Sequence, residues 1–420
     1  MPSSLLPFGT GRVRWPDRES AAVRRRNRGK TVSCSPVTQL DAAEPLRRRG
    51  DVLWRGLDWL VARGWWVLTV WTVVWGLAHV GSGYGWHYFV TGSRLLFSPE
   101  ALHLYARHPE LQIGPLSFVA AAPFVLVLSG RVGELAAMAC MSAAGLYLMA
   151  QLRRLQPTRS VGSDREWLVV GLLVVPVWSE VAVHWAHPDD VLALLLGVAA
   201  LRAIRADRPV LTGLLLAAAT DCKPWAAGFA ALVLLTGQRR RAAVAWAGGV
   251  ALAWLPFVVG DPATLGAGRF RITNDAASVI RVLGVHTAGT PTWDRPTQLV
   301  AAVLVVAVAA VRGRWGAGLL LAIVVRLLLD PATKNYYDAG LVTGTAVYDL
   351  VLLAGAVPWL TIGTCLFFWL PSYALVSQPH DRALLRAGVL LGLLVIGVAG
   401  DRLGIDRGTP MTPRRRPPAA

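Results

Sequence analysis

The chain is poor in charge and poorer still in the residues that staple small folds. Only 16% of its 420 residues are Asp, Glu, Lys or Arg, against about 25% in soluble globular chains. That shortage excludes an ordinary water-exposed enzyme and a chain too charged to collapse. The four cysteines, Cys34, Cys140, Cys222 and Cys365, stand far apart with no C-x-x-C pair, so neither a disulfide framework nor a zinc knuckle is encoded. Lysine is nearly missing, with Lys30, Lys223 and Lys334 the only three among 42 basic residues. No stretch alternates apolar and polar residues as a half-buried strand would. A cleavable leader is also lacking: about 60 mostly polar residues precede the first apolar run, which predicts a permanent span.

What is present is apolar length. Hydrophobic residues make up 54% of the chain, in runs near the ~20 residues that cross a ~30 Å hydrocarbon core. The expected runs cover 65–80, 114–128, 132–150, 167–185, 191–204, 210–220, 225–236, 242–259, 298–311, 315–329, 339–357, 359–375 and 383–399. They predict an all-α polytopic membrane protein of about 11–13 transmembrane helices with a long first external loop, 81–113. The domain reading is a basic disordered tail (1–50), a membrane domain (51–400) and a second basic tail (401–420). Residues 51–63 read as an amphipathic surface helix with Trp54 and Trp59 at headgroup depth.

The net charge is +17, and residues 1–50 carry eleven basic against four acidic groups. Basic ends around an apolar body signal topology and contact with membrane lipids, not nucleic-acid binding. The positive-inside rule puts the N-terminus and the clusters at 153–165, 202–208, 239–241, 312–314 and 402–416 on the cytoplasmic side of a bacterial plasma membrane. Parity then fails unless one of the runs 114–128 and 132–150 is tilted or re-entrant.

Polar groups collect on the external side: HWAHPDD at 184–190, TDCKPW at 220–225 and DPATKNYYD at 330–338. Charged groups in a membrane body are costly and tend to line a cavity. Asp189 and Asp190 read either as helix N-terminal acids or as a base and hydroxyl acceptors. Adjacent on a helix, they are expected to point apart. Lys223 sits between apolar runs of eleven and twelve residues, each too short to span at ~1.5 Å per residue. This predicts a broken-helix hairpin with Lys223 at its tip, either in a solvent turn with Asp221 or placed for a phosphate. Tyr336 and Tyr337 suit a sugar ring or an interfacial aromatic belt. Arg269, Arg271 and Lys334 suit a phosphate or anionic lipid. His184-x-x-His187 and His103 with His108 have ligand-like spacings, but Pro188 interrupts the first and no H-E-x-x-H occurs. A divalent cation bridging carboxylates and a phosphate is the one cofactor these residues leave open.

The stretches GWHYFVTGSRLLF (85–97), YARHPELQIGP (105–115), HPDDVLALLLGVAALRA (187–203), LLLAAATDCKPWA (214–226) and LDPATKNYYDAGLV (329–342) together resemble the GT-C class of membrane glycosyltransferases. Within that class they are most similar to actinobacterial polyprenyl-phosphate-mannose-dependent alpha-mannosyltransferases. The resemblance covers roughly residues 60–375. It implies a GT-C-like fold and an inverting hexosyltransferase that moves a sugar, mannose by analogy, from a polyprenyl-phosphate donor to a lipid or glycan acceptor outside the cell. A carboxylate of the first external loop would be the base, but the matching stretch 84–88 holds no Asp. The base is therefore left among His87, Glu100, Asp189 and Asp190. Trp86, Tyr336 and Tyr337 are expected around the sugar, Lys223, Arg269, Arg271 and Lys334 around the phosphate, and Gln112 and His187 are expected to bind substrate as well. A lipid-sugar flippase and a non-catalytic membrane scaffold remain as alternatives.

Overall fold

The computed structural model describes residues 56, 58–157, 161–353, 355, 357–373 and 378–403. The two basic tails, but for residues 401–403, and Trp54 lie outside the described residues. Among the described residues the only strand-like feature is an antiparallel bridge between Thr273 and Gly289. The rest is helix and connection, the form in which a backbone satisfies its own polar groups without water.

The principal helices are α1 (Gly64–His79), α2 (Trp86–Leu96), α3 (Pro115–Ala122), α4 (Gly130–Leu155), α5 (Val161–Ser179), α6 (Pro188–Arg205), α7 (Pro209–Cys222), α8 (Arg239–Gly260), α9 (Asp294–Val311), α10 (Gly318–Leu329), α11 (Asp338–Tyr348), α12 (Trp359–Thr364) and α13 (Pro379–Ala399). A π turn extends α3 (Pro123–Leu128) and another extends α5 (Glu180–His184). Five helices are long and apolar enough to cross a membrane: Gly130–Leu155, Gly162–His184, Arg239–Gly260, Asp294–Val311 and Pro379–Ala399. The second of these is 78% buried and central, whereas α8 is only 11% buried. On α8, Val244, Leu252, Leu255 and Val259 all face outward. Monomeric soluble proteins rarely expose so continuous an apolar face, and hydrocarbon is the solvent that suits it.

Side-chain contacts identify two ends of the bundle. Arg131, opening α4, donates to the Val80 carbonyl just beyond α1. The Gly83 N–H donates to His184 O at 2.8 Å, and the Gly114 N–H to Cys222 O at 2.9 Å. The finishes of α1, the second π turn and α7 therefore share one end with the starts of α3, α4 and α6, and this is the site end. At the opposite end Arg205 donates to the Leu155 carbonyl at 2.6 Å and Arg153 pairs with Asp164 at 2.7 Å. Arg314 holds the Gly397 and Ile396 carbonyls and the Tyr348 hydroxyl, and Arg312 holds Val398 O at 2.8 Å. Guanidinium groups there cap the carbonyl ends of α4 and α13, where the helix dipole is negative. Both ends of the segment 115–128, one continuous helix, meet elements of the site end, so the first of the two doubtful runs is the one that departs from an end-to-end crossing. Arg153 and Arg154 accordingly share the end where α1 begins.

The α7 hairpin forms as expected. Pro224 lacks an N–H and pushes Lys223 into extended backbone (φ −141, ψ 112). The return limb, Pro224–Leu235, is a 3₁₀ helix of 12 residues. At about 2.0 Å per residue it reaches farther than an α-helix of that length. Close packing on α8 relies on Gly213, where a Cβ would lie 2.2 Å from Ala242 O; small residues let membrane helices approach to this range.

Candidate functional site

The site is assembled where α6 starts. His187 precedes Pro188, which occupies the first turn with Asp189 and Asp190. Ala186, fully buried, takes φ +49, a conformation that costs a non-glycine residue about 1 kcal/mol or more. The bend turns the chain from the π turn into α6 and aims His187 and both carboxylates inward. First-turn N–H groups and the helix dipole favour those negative charges.

Lys223 completes the pair. Thrown off α7 by Pro224, its ammonium hydrogen-bonds Asp189 Oδ2 and lies 3.1 Å from Asp190 Oδ2. The expectation that adjacent carboxylates would point apart is corrected here: a single cation with three N–H donors gathers both. The solvent-turn reading of Lys223 with Asp221 also fails, because Asp221 is buried and does not pair with Lys223 among the described residues.

Other segments close the cluster. Trp225 Nε1 donates to Asp190 Oδ1 at 3.1 Å. Arg326, buried in α10, lies 3.8 Å from Asp190 Oδ1 and 3.4 Å from Asp330 Oδ2. Its guanidinium stacks between Trp225 (4.6 Å) and Tyr337 (4.2 Å). His187 places Nδ1 3.2 Å from Asp189 Oδ1 and stacks on Tyr336, with centroids 4.2 Å apart and planes at 14°. Trp185 borders Tyr336 at 5.3 Å, and Lys334 Nζ sits 5.7 Å above the Trp185 ring at the exposed rim. The 81–113 connection presses on this group at Gly85, where a Cβ would lie 2.4 Å from His187 Nε2.

The remaining expected residues lie elsewhere. Glu100 is exposed and pairs with Arg107 at 3.1 Å. His87 is exposed against Tyr88, with rings 3.9 Å apart. Neither joins the acidic pair: His87 lies on the exposed face of α2, and Glu100 lies in the exposed connection that follows it. Trp86 is buried in the core on Phe89, and it is Phe89 that meets His187 edge-on at 5.7 Å. Gln112 is a staple: it bonds Phe270 O at 3.3 Å and receives Arg295 at 2.7 Å. Arg269 and Arg271 flank that pinned residue and are exposed. The histidine pairs divide as well. His184 turns toward His79, His103 meets Asp261 at 2.9 Å, and His108 meets Glu110 at 3.1 Å.

Ligand atoms of His187, Asp189 and Asp190 lie within 4.8 Å of one another, yet the Lys223 ammonium already bridges the two carboxylates, where a divalent ion would sit. Reasoning from sequence missed Trp185, Trp225, Arg326 and Asp330 as site members. The Arg326–Asp330 spacing of four residues on an apolar helix was the available signal. It also missed a narrow cleft beside the 330–338 segment, lined by Thr333, Asn335, Phe367, Phe368, Arg382 and Arg386. There Arg386 stacks over Phe368 at 4.1 Å and lies 3.8 Å from Asp338.

No known protein family matches the chain, and no curated protein is similar to it.

Proposed function

We propose that this chain is a membrane glycosyltransferase of the GT-C kind, taking a sugar from a polyprenyl-phosphate donor at the site end, which faces away from the cytoplasm. The observation that carries the reading is the convergence of Asp189, Asp190, Lys223, Trp225, Arg326 and Asp330 from separate stretches of chain at one buried point, rimmed by Tyr336, Tyr337 and Lys334.

Asp190 is the base in this reading. Its Oδ2 is buried and accepts no hydrogen bond that meets normal geometry, so a lone pair is left for an acceptor hydroxyl. Asp189 is spent on Lys223, His187 and its neighbour's N–H and acts in positioning. The acceptor oxygen attacks the anomeric carbon, its proton passes to Asp190, and the bond from that carbon to the donor phosphate breaks with inversion. The leaving polyprenyl phosphate needs cations. Lys223 is committed to both carboxylates, to Asp189 by a hydrogen bond and to Asp190 by charge, so Arg382 and Arg386 in the cleft, with Lys334 at the rim, are better placed for it. Phe367, exposed at the mouth, suits the lipid chain.

The test is transfer of radiolabelled mannose from decaprenyl-phosphate mannose into lipid by membranes containing the protein. Asp190→Asn should abolish incorporation at unchanged expression, and Arg386→Gln should raise KM for the donor. Donor crossing the bilayer without product would replace the reading with a flippase. The ion network's internal pairing favours the scaffold alternative, and neither product nor transport in the wild type would establish it.

A further inference from the structure

A second group of ligating side chains, unused by the proposed reaction, lies just beyond the first. His79 ends α1, while Glu180 and His184 open and close the π turn after α5. One nitrogen or oxygen from each lies within 4.8 Å of the others. His79 Nε2 is 3.4 Å from Glu180 Oε1, and the two imidazoles meet edge to face at 5.3 Å. Glu180 is only 3% exposed, and its Oε2 has no hydrogen-bond partner. A buried carboxylate left this way is costly. Among the described residues no Lys or Arg forms an ion pair with it. Its charged and titratable neighbours are His79, His184, Tyr373 and a second buried carboxylate, Asp338, so the locality is short of positive charge.

We infer that His79, Glu180 and His184 bind one divalent transition cation, zinc by the chemistry of the donor set. The His79 ring is prepared for it. Its Nδ1 lies 2.9 Å from the Trp75 carbonyl and 3.3 Å from Ser179 Oγ, so Nδ1 is placed to donate to the carbonyl and Nε2 is the nitrogen turned toward Glu180. Metal-bound imidazoles are held in this way, the remote N–H donated to a carbonyl. With zinc bonds of about 2.0–2.2 Å, a tetrahedral edge is about 3.4 Å, the separation His79 Nε2 and Glu180 Oε1 already have. Two imidazoles and one carboxylate suit zinc over magnesium or calcium, which take oxygen. His187, Asp189 and Asp190 differ in holding the Lys223 ammonium. Half-burial of His79 and His184 leaves a fourth position open to the site end.

The ion would act as a clasp. Gly83 and Tyr84 donate N–H groups to His184 O, Gly85 donates to Trp185 O at 2.7 Å, and the Tyr84 ring packs edge-on against His184 at 5.1 Å. Joining α1 to the π turn fixes the start of the loop that presses Gly85 on His187.

The test uses the full chain in nanodiscs, stripped with a chelator and titrated with Co²⁺ by visible absorption and with Zn²⁺ by elemental analysis. One saturable equivalent with d–d bands is expected, with thermal melting raised by the metal. His79→Ala and Glu180→Gln should weaken binding at least tenfold, and His187→Ala should leave it intact. A wild type that takes up no stoichiometric metal overturns the inference without relying on any variant. So does metal lost with His187→Ala but kept with His79→Ala.

Discussion

Replacing Lys223 with methionine keeps an unbranched side chain, one atom shorter, and deletes its charge. What remains is Asp189, wholly buried, and Asp190 beside it. At 3.1 Å the Asp190–Lys223 attraction alone is about 5 kcal/mol at an effective dielectric of about 20, before desolvation is subtracted. Stranding one side of a buried ion pair costs about 3–5 kcal/mol. Arg326, 3.8 Å from Asp190 Oδ1, shields that carboxylate in part but not Asp189. Lys223→Met should therefore destabilise the chain by about 3–5 kcal/mol. Asp189→Asn in the Lys223→Met background should recover much of that loss, since it removes the stranded charge. Detergent-solubilised protein unfolded by heat or by added dodecyl sulfate reads both changes, and the cycle of single and double variants gives the coupling. A Lys223→Met protein within about 0.5 kcal/mol of wild type, the range of an ordinary surface change, would refute the claim that this lysine neutralises two buried carboxylates.

Gly85→Ala should impair the site while leaving the bundle folded, since its methyl would meet His187 Nε2 and the Trp185 carbonyl; trypsin accessibility of the 81–113 loop should rise, and unchanged proteolysis would count against the contact. Arg314→Met should strip the Gly397 carbonyl of its Arg314 donor and the Ile396 carbonyl of one of two donors, the Tyr348 hydroxyl staying on Ile396 O. The expected cost is about 2–3 kcal/mol, seen as faster hydrogen exchange at the end of α13. Asp261, in the loop after α8, is held below its ordinary value of 3.8 first by its hydrogen bond with His103 and then by the Ala263 N–H. A depressed carboxylate stabilises the fold above its ordinary pKa, and the contribution disappears as pH falls through the lowered one. Protection of the Ala263 amide, measured against its intrinsic exchange rate, should thus fall on acidification below about pH 4, and Asp261→Asn should flatten that dependence.

The features legible in advance were those written in local order. Pro224 after Lys223 announced a broken hairpin with a lysine at its tip, and Pro188 before two aspartates announced a helix start. The failures were of another kind. His87 and Glu100 sit in a plausible loop, but which way a short surface helix such as α2 faces depends on what packs beneath it. Trp86 and Gln112 were expected at the site for their chemistry and proved to be packing and stapling groups. Arg382 and Arg386 were passed over because their neighbours across the cleft, Thr333 and Asn335, come from a distant stretch of chain.

Composition and apolar run length by themselves determined an all-helical chain with helices apolar enough to cross a membrane, because a backbone in hydrocarbon has few other ways to satisfy its polar groups. They also determined which residues would be too costly to bury alone. Tertiary structure decided how those residues meet: one ammonium gathers two carboxylates that a lone helix would splay, the segment 115–128 keeps both of its ends at the site end, and two histidines three positions apart serve separate clusters. The physical reason is range. Periodicity and capping act over a few residues, whereas a buried charge is settled by whichever partner the packing of other helices delivers to it.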